Sequence, residues 1–377
     1  MVRRKFLGTK SSILRWLILL FVQNVLFFSA VYECSEEELA RAKDDFRIVG
    51  YVPEYRQGSV DWPSVLNLLT DVVFFSIESS ETGELINLDR LPNGAILKLA
   101  AEAKTNTLFT VGGGGRSQGL AVALKNNKAR EALIDNCWKL VEEYGFDGVD
   151  IDWEIPQSDE DYENLAKFLR GLRDVFTAKS MTRKLVTMAI HPGQEPLLVR
   201  HQIIKVVDWV SEMVYDNLCF YPKTPPPCKH STLEFSELIV RHLRGAIDID
   251  ESKILLGIPF YGRHTMSGEA KTYSELVGSQ PDFDYQADEI DSYYFNSVST
   301  LREKIDLVLE SPPLGGVMLW EVGQDVDPKE EDISLLSNLA AYVKLKGTSE
   351  GSSRVQSKRL KKRLSRSKRE HEGKNEL

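Results

Sequence analysis

The nonapeptide Phe146-Asp147-Gly148-Val149-Asp150-Ile151-Asp152-Trp153-Glu154 alternates carboxylic acids with apolar residues. A period of two predicts a β-strand, on which Asp150, Asp152 and Glu154 point the same way at intervals of about 6.6 Å. The apolar residues between them argue against an exposed acidic strand. We therefore predict a buried strand that directs three carboxyl groups into an enclosed interior.

Seven further apolar runs resemble this strand in length, and helical spacing separates them, most clearly from Tyr162 to Phe176 after the acidic Asp159 and Glu160. This alternation predicts parallel strands with crossover helices, and eight units in residues 45–346 match a (β/α)8 TIM barrel of the α/β class better than an open sheet. The predicted strands are Arg47–Val52, Asp71–Ile77, Thr107–Val111, Gly148–Asp152, Lys184–Ile190, Val207–Tyr215, Lys253–Pro259 and Gly316–Trp320.

Inside such a barrel the three acids would rise toward the carboxyl-terminal mouth, where barrel active sites lie. Each ionised carboxyl raises the proton affinity of its neighbour, so we expect the cluster to share protons and to leave its outermost member, Glu154, protonated near neutrality. That is the condition of a general acid. A calcium site is the alternative, but no loop glycine or carbonyl pattern of a calcium loop accompanies the acids.

The acidic run resembles the D-x-x-D-x-D-x-E signature of glycoside hydrolase family 18, which contains chitinases and related endo-β-N-acetylglucosaminidases. The resemblance continues in order along the predicted strands. The matching segments are Thr110–Gly113, Met213–Asp216, Gly257–Arg263 and Gly315–Trp320.

This resemblance implies a role for each catalytic candidate. Glu154 would protonate the glycosidic oxygen, while the 2-acetamido oxygen of the substrate, rather than a protein nucleophile, would attack the anomeric carbon. Asp152 would orient the acetamido N–H and stabilise the positive charge that develops. Tyr215 would hold the acetamido oxygen in line, and Asp150 would exchange a proton with Asp152.

The remaining candidates are substrate contacts implied by the matching segments. Asp216 and Trp320 would bind the distorted sugar. The hydroxyl groups of Tyr51 and Thr110 would also support Asp150. The full set is Asp216, Trp320, Met213, Tyr51, Thr110, Gly113 and Tyr261.

Two features depart from the family pattern. Ile155 stands where chitinases commonly have tyrosine, which removes an aromatic group from the cleft wall. The segment Gly262–Leu314 is too short for a full chitinase insertion module, so we expect a shallow cleft.

The resemblance implies a retaining hydrolase of β-1,4-linked N-acetylglucosamine, as in chitin. The alternative enzyme is an endo-β-N-acetylglucosaminidase or chitobiase that acts on N-glycan cores, and the alternative from another class is a chitin-binding lectin. We expect no metal and no cofactor. The glycine run at residues 112–115 lacks the spacing of a phosphate-binding loop, which argues against nucleotide binding. The oligomeric state stays open.

The charge distribution argues against a nucleic-acid partner. Residues 31–346 carry 32 basic and 52 acidic side chains, a net charge of −20 that repels phosphate backbones. The basic segment at residues 347–377 has almost no apolar residues and is typical of a flexible tail.

The two ends of the sequence predict a secretory destination. Residues 1–31 combine basic residues with an apolar run typical of a cleaved signal peptide, with an uncleaved signal anchor as the alternative. The final Lys374-Asn375-Glu376-Leu377 resembles a retrieval signal, so we expect a retrieval receptor as partner and retention in the endoplasmic reticulum lumen rather than secretion.

Four cysteines occur in the sequence, and an oxidising lumen permits them to pair. Cys219 and Cys228 flank a proline-rich loop, and we predict a disulfide between them. Cys137 lies on an amphipathic stretch, where we expect a buried free thiol.

Overall fold

A closed barrel of eight parallel strands forms the centre of the protein in a computed structural model, which describes residues 46–216, 227–246, 248–279 and 284–346. Each barrel strand pairs in parallel with the next barrel strand along the chain, and the eighth pairs again with the first. The predicted (β/α)8 fold is thus confirmed. The barrel strands are β1 (Arg47–Pro53), β2 (Asp71–Ser79), β4 (Asn106–Gly112), β5 (Gly148–Asp152), β6 (Leu185–Ile190), β7 (Trp209–Glu212), β8 (Ile254–Pro259) and β13 (Gly316–Trp320).

Helices surround the barrel and cover its outer face. They are α1 (Trp62–Leu66), α2 (Gly94–Ala103), α3 (Gln118–Lys125), α4 (Asn127–Tyr144), α5 (Asp159–Lys179), α6 (Glu195–Arg200), α7 (Leu233–Ala246), α8 (Tyr273–Gly278), α9 (Val298–Leu309) and α10, which includes residues 335–346. No helix within the described ranges is long and apolar enough to cross a bilayer.

Helix α5 shows how the local sequence sets these elements. Ser158 accepts a hydrogen bond from the Asp161 backbone N–H, and the Asp161 carboxylate accepts one from the Ser158 N–H, which forms a capping box. The acidic first turn favours the positive end of the helix dipole. The apolar residues whose spacing predicted this helix are all buried: Tyr162, Leu165, Phe168, Leu169, Leu172 and Phe176.

The sixth barrel strand is shorter than the sequence predicts. The prediction extended it from Val207 to Tyr215, whereas β7 ends at Glu212. The chain turns there because the Val214 N–H bonds back to the Glu212 carbonyl oxygen at 2.9 Å. As a result Met213 and Tyr215 lie beyond the strand, at the mouth of the barrel.

A small antiparallel sheet follows β8 at the mouth. Its strands β9 (Tyr261–His264), β10 (Ala270–Thr272), β11 (Glu289–Ile290) and β12 (Tyr293–Tyr294) pair in the order β10-β9-β12-β11. A strand of two residues, β3 (Leu85–Ile86), pairs antiparallel with the end of β2. The short β9–β12 sheet agrees with the prediction of a barrel without a full insertion module.

Several predictions fall wholly or partly outside the described residues. These include the signal segment at residues 1–31, the tail at 347–377 and Cys219, so the destination and the Cys219–Cys228 disulfide stay predictions. Cys137 is a free, buried cysteine, as predicted.

Candidate active site

Asp150 lies at the bottom of the site, completely buried in the barrel. Its Oδ2 atom accepts hydrogen bonds from the Tyr51 hydroxyl at 2.9 Å and the Thr110 hydroxyl at 3.0 Å, and its Oδ1 atom accepts one from Thr187 at 2.6 Å. Burial raises the pKa of Asp150, and the three hydroxyl donors oppose that rise. The predicted support by Tyr51 and Thr110 is therefore present in the structure.

Asp152 is the next carboxyl toward the mouth and is 3% exposed. Among the described residues its Oδ1 atom has no hydrogen-bond partner. Burial, followed by the negative charges of Glu154 and Asp150, raises the pKa of Asp152 well above its usual range. Because Asp152 is desolvated and lies between two carboxyls, it holds a proton more readily than an ordinary aspartate.

Glu154 follows the end of β5, and its side chain retains 27% exposure. Its Oε2 atom lies 3.3 Å from Nε2 of His191. On another side the carboxyl group faces Gly114, where a Cβ atom would stand 3.4 Å from Oε1. The outermost acid of the series is therefore the one that can reach a ligand in the mouth.

Tyr215 lies across the mouth from the acids and is nearly buried. Its hydroxyl donates only to the thioether sulfur of Met318, at 3.8 Å, among the partners seen in the described chain. Burial and the nearby Tyr261 and Asp152 raise the pKa of Tyr215 well above its usual range. The hydroxyl therefore stays protonated and can donate to a better acceptor.

Asp216 is held in a left-handed backbone conformation, with φ of 60°. Its carboxylate accepts a hydrogen bond from Arg263 Nε at 2.6 Å and lies 3.1 Å from His230 Nδ1. Burial alone would raise the pKa of Asp216, but the hydrogen bonds and charges of Arg263 and His230 outweigh it and hold that pKa well below its usual range.

Aromatic side chains form one wall of the site. Trp320 packs edge-on against Phe75, with ring centroids 4.7 Å apart, and its ring lies 6.0 Å from that of Tyr51. Gly113 makes this packing possible: its φ is +108°, and a Cβ atom there would approach the Phe75 ring to 2.3 Å. The Gly113 N–H also donates to the Asp152 carbonyl oxygen at 2.6 Å.

Met213 and Tyr261, the other predicted substrate contacts, belong to the same apolar cluster inside the barrel as Tyr215. Met213 is 8% exposed and Tyr261 is 4% exposed. The Tyr261 and Tyr215 rings meet edge-on at 6.3 Å. Tyr51 belongs to this cluster as well, and Trp320 packs against it.

Comparison with known proteins agrees with this geometry. A family model described as "Glycosyl hydrolases family 18" matches residues 47–325. The chain belongs to this family. Among curated relatives, Endochitinase 1 of Metarhizium robertsii is 22% identical over an alignment of 285 residues. The match covers 63% of this chain and 66%, just under two thirds, of the relative.

Two solved structures show the same fold. A family 18 chitinase from the chitin utilization locus of Flavobacterium johnsoniae superposes with a TM-score of 0.67 and 22% identity, covering 79% of this chain and 94% of that one. A chitinase-like agglutinin from Robinia pseudoacacia gives a TM-score of 0.63 and 20% identity over 78% of this chain and 99% of that one.

The structure adds residues to this family 18 site that the sequence analysis did not name. Thr187 donates to Asp150, His191 lies against Glu154, and Arg263 and His230 hold Asp216. A sequence signal existed for both Thr187 and His191. Thr187 lies in the middle of the fifth predicted strand, Lys184–Ile190, and His191 directly follows the end of that strand. His230 gave no comparable signal because it lies in an irregular segment.

Proposed function

We propose that this chain is a retaining glycoside hydrolase that cleaves β-1,4-linked N-acetylglucosamine, as in chitin and chito-oligosaccharides, by substrate-assisted catalysis. The observation that carries the proposal is the state of Asp152. A buried carboxyl with a strongly raised pKa is a poor nucleophile, but it can form a hydrogen bond with the acetamido group of a bound sugar through its unpartnered Oδ1 atom.

The other acids near the mouth are also engaged in ways that disfavour a covalent mechanism. Asp150 accepts three hydroxyl donors, and Asp216 is paired with Arg263. Among the acids that the structure describes at the mouth, Glu154 is the one that both reaches solvent and stands next to Asp152. A single acid without a protein nucleophile fits attack by the 2-acetamido oxygen of the substrate.

The proposed steps use these groups in order. Glu154 gives its proton to the glycosidic oxygen while the acetamido oxygen attacks the anomeric carbon, which breaks the C–O bond and forms a cyclic oxazolinium ion. Tyr215 donates to the acetamido oxygen, and Asp152 accepts from the acetamido N–H. The Glu154 carboxylate then removes a proton from water, which opens the ring and restores the acid.

The name of the Metarhizium relative and the family match support an N-acetylglucosamine polymer as the substrate class. The agglutinin among the structural relatives is a reminder that this fold also serves binding proteins. The presence of Glu154 at the mouth favours hydrolysis over binding alone.

Release of a fluorophore from chitobiose and chitotriose glycosides, measured beside release of glycan from a glycoprotein, tests the proposal. We expect turnover of the chito-oligosaccharides that falls by about 10²–10⁴ in Glu154→Gln, with binding and folding retained. Turnover of the glycoprotein alone would indicate the N-glycan activity. Sugar binding without turnover by either protein would indicate a lectin, and equal turnover by the two proteins would remove Glu154 from the mechanism.

A further inference from the structure

We propose that His191 is a positioning residue for Glu154, which holds its carboxyl group and stabilises the carboxylate left after proton donation. This inference rests on the proposed function for its catalytic meaning. Within the described parts of the chain, His191 is the one side chain at hydrogen-bond distance from the Glu154 carboxyl, with Nε2 at 3.3 Å from Oε2.

The segment that carries His191 is fixed by hydrogen bonds within itself and by one hydrogen bond to α5. The His191 backbone N–H donates to Gln194 Oε1 at 2.7 Å, and the Gln194 amide in turn donates to the Tyr162 hydroxyl at 2.7 Å. Gly193, with φ of +98°, donates its N–H to Glu195 Oε2 at 2.7 Å. These contacts set the position of the imidazole relative to β5.

A buried acid pair lies behind this segment. Glu195 and Glu212 are both completely buried, and burial together with Glu195 raises the pKa of Glu212 well above its usual range. The Glu195 carboxyl accepts from the Gly193 N–H and so holds the segment that carries His191. The raised pKa of Glu212 disfavours a second negative charge beside it.

The surroundings of the His191–Glu154 pair leave little else to hold the acid. The titratable groups that act on Glu154 by their charge are Asp152 and Tyr215 from the barrel mouth. An ionised Asp152 can only repel a negative charge on Glu154. Among these groups the imidazole is the one that can carry a compensating positive charge near the carboxylate.

The chemical consequence follows from the two states of Glu154. After proton transfer the carboxylate must keep the orientation that lets it accept a proton from water in the second step. An Nε2–H donor on Oε2 holds that orientation and leaves Oε1 on the side of Gly114.

Two substitutions separate the donor from the bulk of the ring. His191→Leu removes the donor, and His191→Gln restores a neutral N–H donor of similar reach. His242→Leu is the matched control, since His242 is exposed on α7. All three proteins are compared with the wild type as full chains, with thermal unfolding measured in parallel.

The first readout does not depend on activity. In carboxyl-¹³C NMR spectra at one fixed pH, the Glu154 signal should move in His191→Leu, because the contact with Nε2 is lost, and should return toward its wild-type position in His191→Gln. An unmoved Glu154 signal in His191→Leu would overturn the proposal. If the signal moves in His191→Leu but the wild type hydrolyses no chito-oligosaccharide, the result supports the His191–Glu154 pairing and rejects the proposed function.

The second readout is catalytic. On unactivated chitotetraose, kcat should fall roughly tenfold or more in His191→Leu with little change in KM, since one hydrogen bond to a charged group is lost. The loss should be smaller on an aryl chitobioside, whose leaving group needs less protonation. A matching loss of kcat on both substrates would contradict the proposal.

Discussion

The Tyr51 hydroxyl donates a hydrogen bond to Asp150 Oδ2 over 2.9 Å inside the barrel, although the two residues are 99 positions apart in the chain. Burial keeps the pKa of Tyr51 well above its usual range, so the hydroxyl remains a donor. With Thr110 and Thr187 it gives the buried Asp150 the donors that an ionised carboxyl requires.

Tyr51→Phe should therefore destabilise the protein by about 1.5–3 kcal/mol, because a buried hydrogen bond to a charged group is removed. The loss should raise the pKa of Asp150 further and reduce kcat more than it changes KM. Chemical denaturation and kinetics on chito-oligosaccharides provide the measurements. Tyr144→Phe serves as the matched control, since Tyr144 stacks on Phe146 outside this network. Equal effects of the two substitutions would argue against a special role for the Tyr51 hydroxyl.

Asp152→Asn should abolish most of the activity and yet leave the protein at least as stable at neutral pH. The pKa of Asp152 is raised in the folded state, so the wild type loses stability as pH rises above the ordinary aspartate range of about 4. Asparagine has no proton to lose and escapes this penalty. Between pH 4 and pH 7 the free energy of unfolding should fall less in Asp152→Asn than in the wild type. A steeper fall in the variant would contradict the assignment.

Much of this site could be predicted from the sequence because Asp150 and Asp152 lie on one strand and Glu154 closely follows its end. The alternation from Asp150 to Glu154 predicts both the strand and the shared face. Thr187 was not predicted as a partner of Asp150. The two residues are neighbours because β5 pairs with β6 in a register that sets Asp150 opposite Thr187. Register between strands depends on barrel closure rather than on either strand alone.

The small sheet at the mouth could not be predicted from local sequence patterns either. Strands β10, β11 and β12 have only two or three residues each, which is too few for an alternating pattern to show. Yet this sheet places Arg263, on β9, against Asp216. His191 was missed for a related reason, since the position of a loop side chain depends on contacts such as the one between Gln194 and Tyr162.

The mechanism predicts the stereochemistry of the product. Attack by the acetamido group and then by water displaces the leaving group twice from opposite sides, so the first product should be the β-anomer. Proton NMR of the new reducing end within the first minutes of reaction distinguishes it from the α-anomer. A thiazoline analogue of the oxazolinium ion should inhibit competitively, and an initial α-anomer would exclude acetamido participation.

Asp216→Asn should affect binding more than the chemical step. Asparagine tolerates the left-handed conformation at this position, but it removes the charge that pairs with Arg263. We expect a higher KM, a smaller change in kcat than in Asp152→Asn, and a stability loss of about 1–3 kcal/mol at neutral pH. Because the folded pKa of Asp216 is depressed, this stability difference should shrink as pH falls below about 4. A kcat loss as large as that of Asp152→Asn would place Asp216 in the chemical step.

Lys304 provides a test of the fold at a distance from the acids. Its completely buried ammonium group donates to the Ser231 carbonyl and hydroxyl oxygens at 3.0 and 2.8 Å and to Asn296 Oδ1 at 2.8 Å. Burial lowers the pKa of Lys304 to about 7. Ser231 follows His230, which contacts Asp216, so this lysine anchors one edge of the site from the helix side.

Between pH 7 and the ordinary lysine value of about 10.4, the unfolded chain holds a proton that folded Lys304 has released, so rising pH should stabilise the wild type. Lys304→Met lacks this gain. From pH 7 to pH 9 the difference in unfolding free energy between the two proteins should move in favour of the wild type by on the order of 2 kcal/mol. Urea denaturation at several pH values measures it, with Lys98→Met as the control because Lys98 is 79% exposed. A constant difference between wild type and Lys304→Met over this range would mean that Lys304 stays charged in the folded protein, held by its three oxygen acceptors.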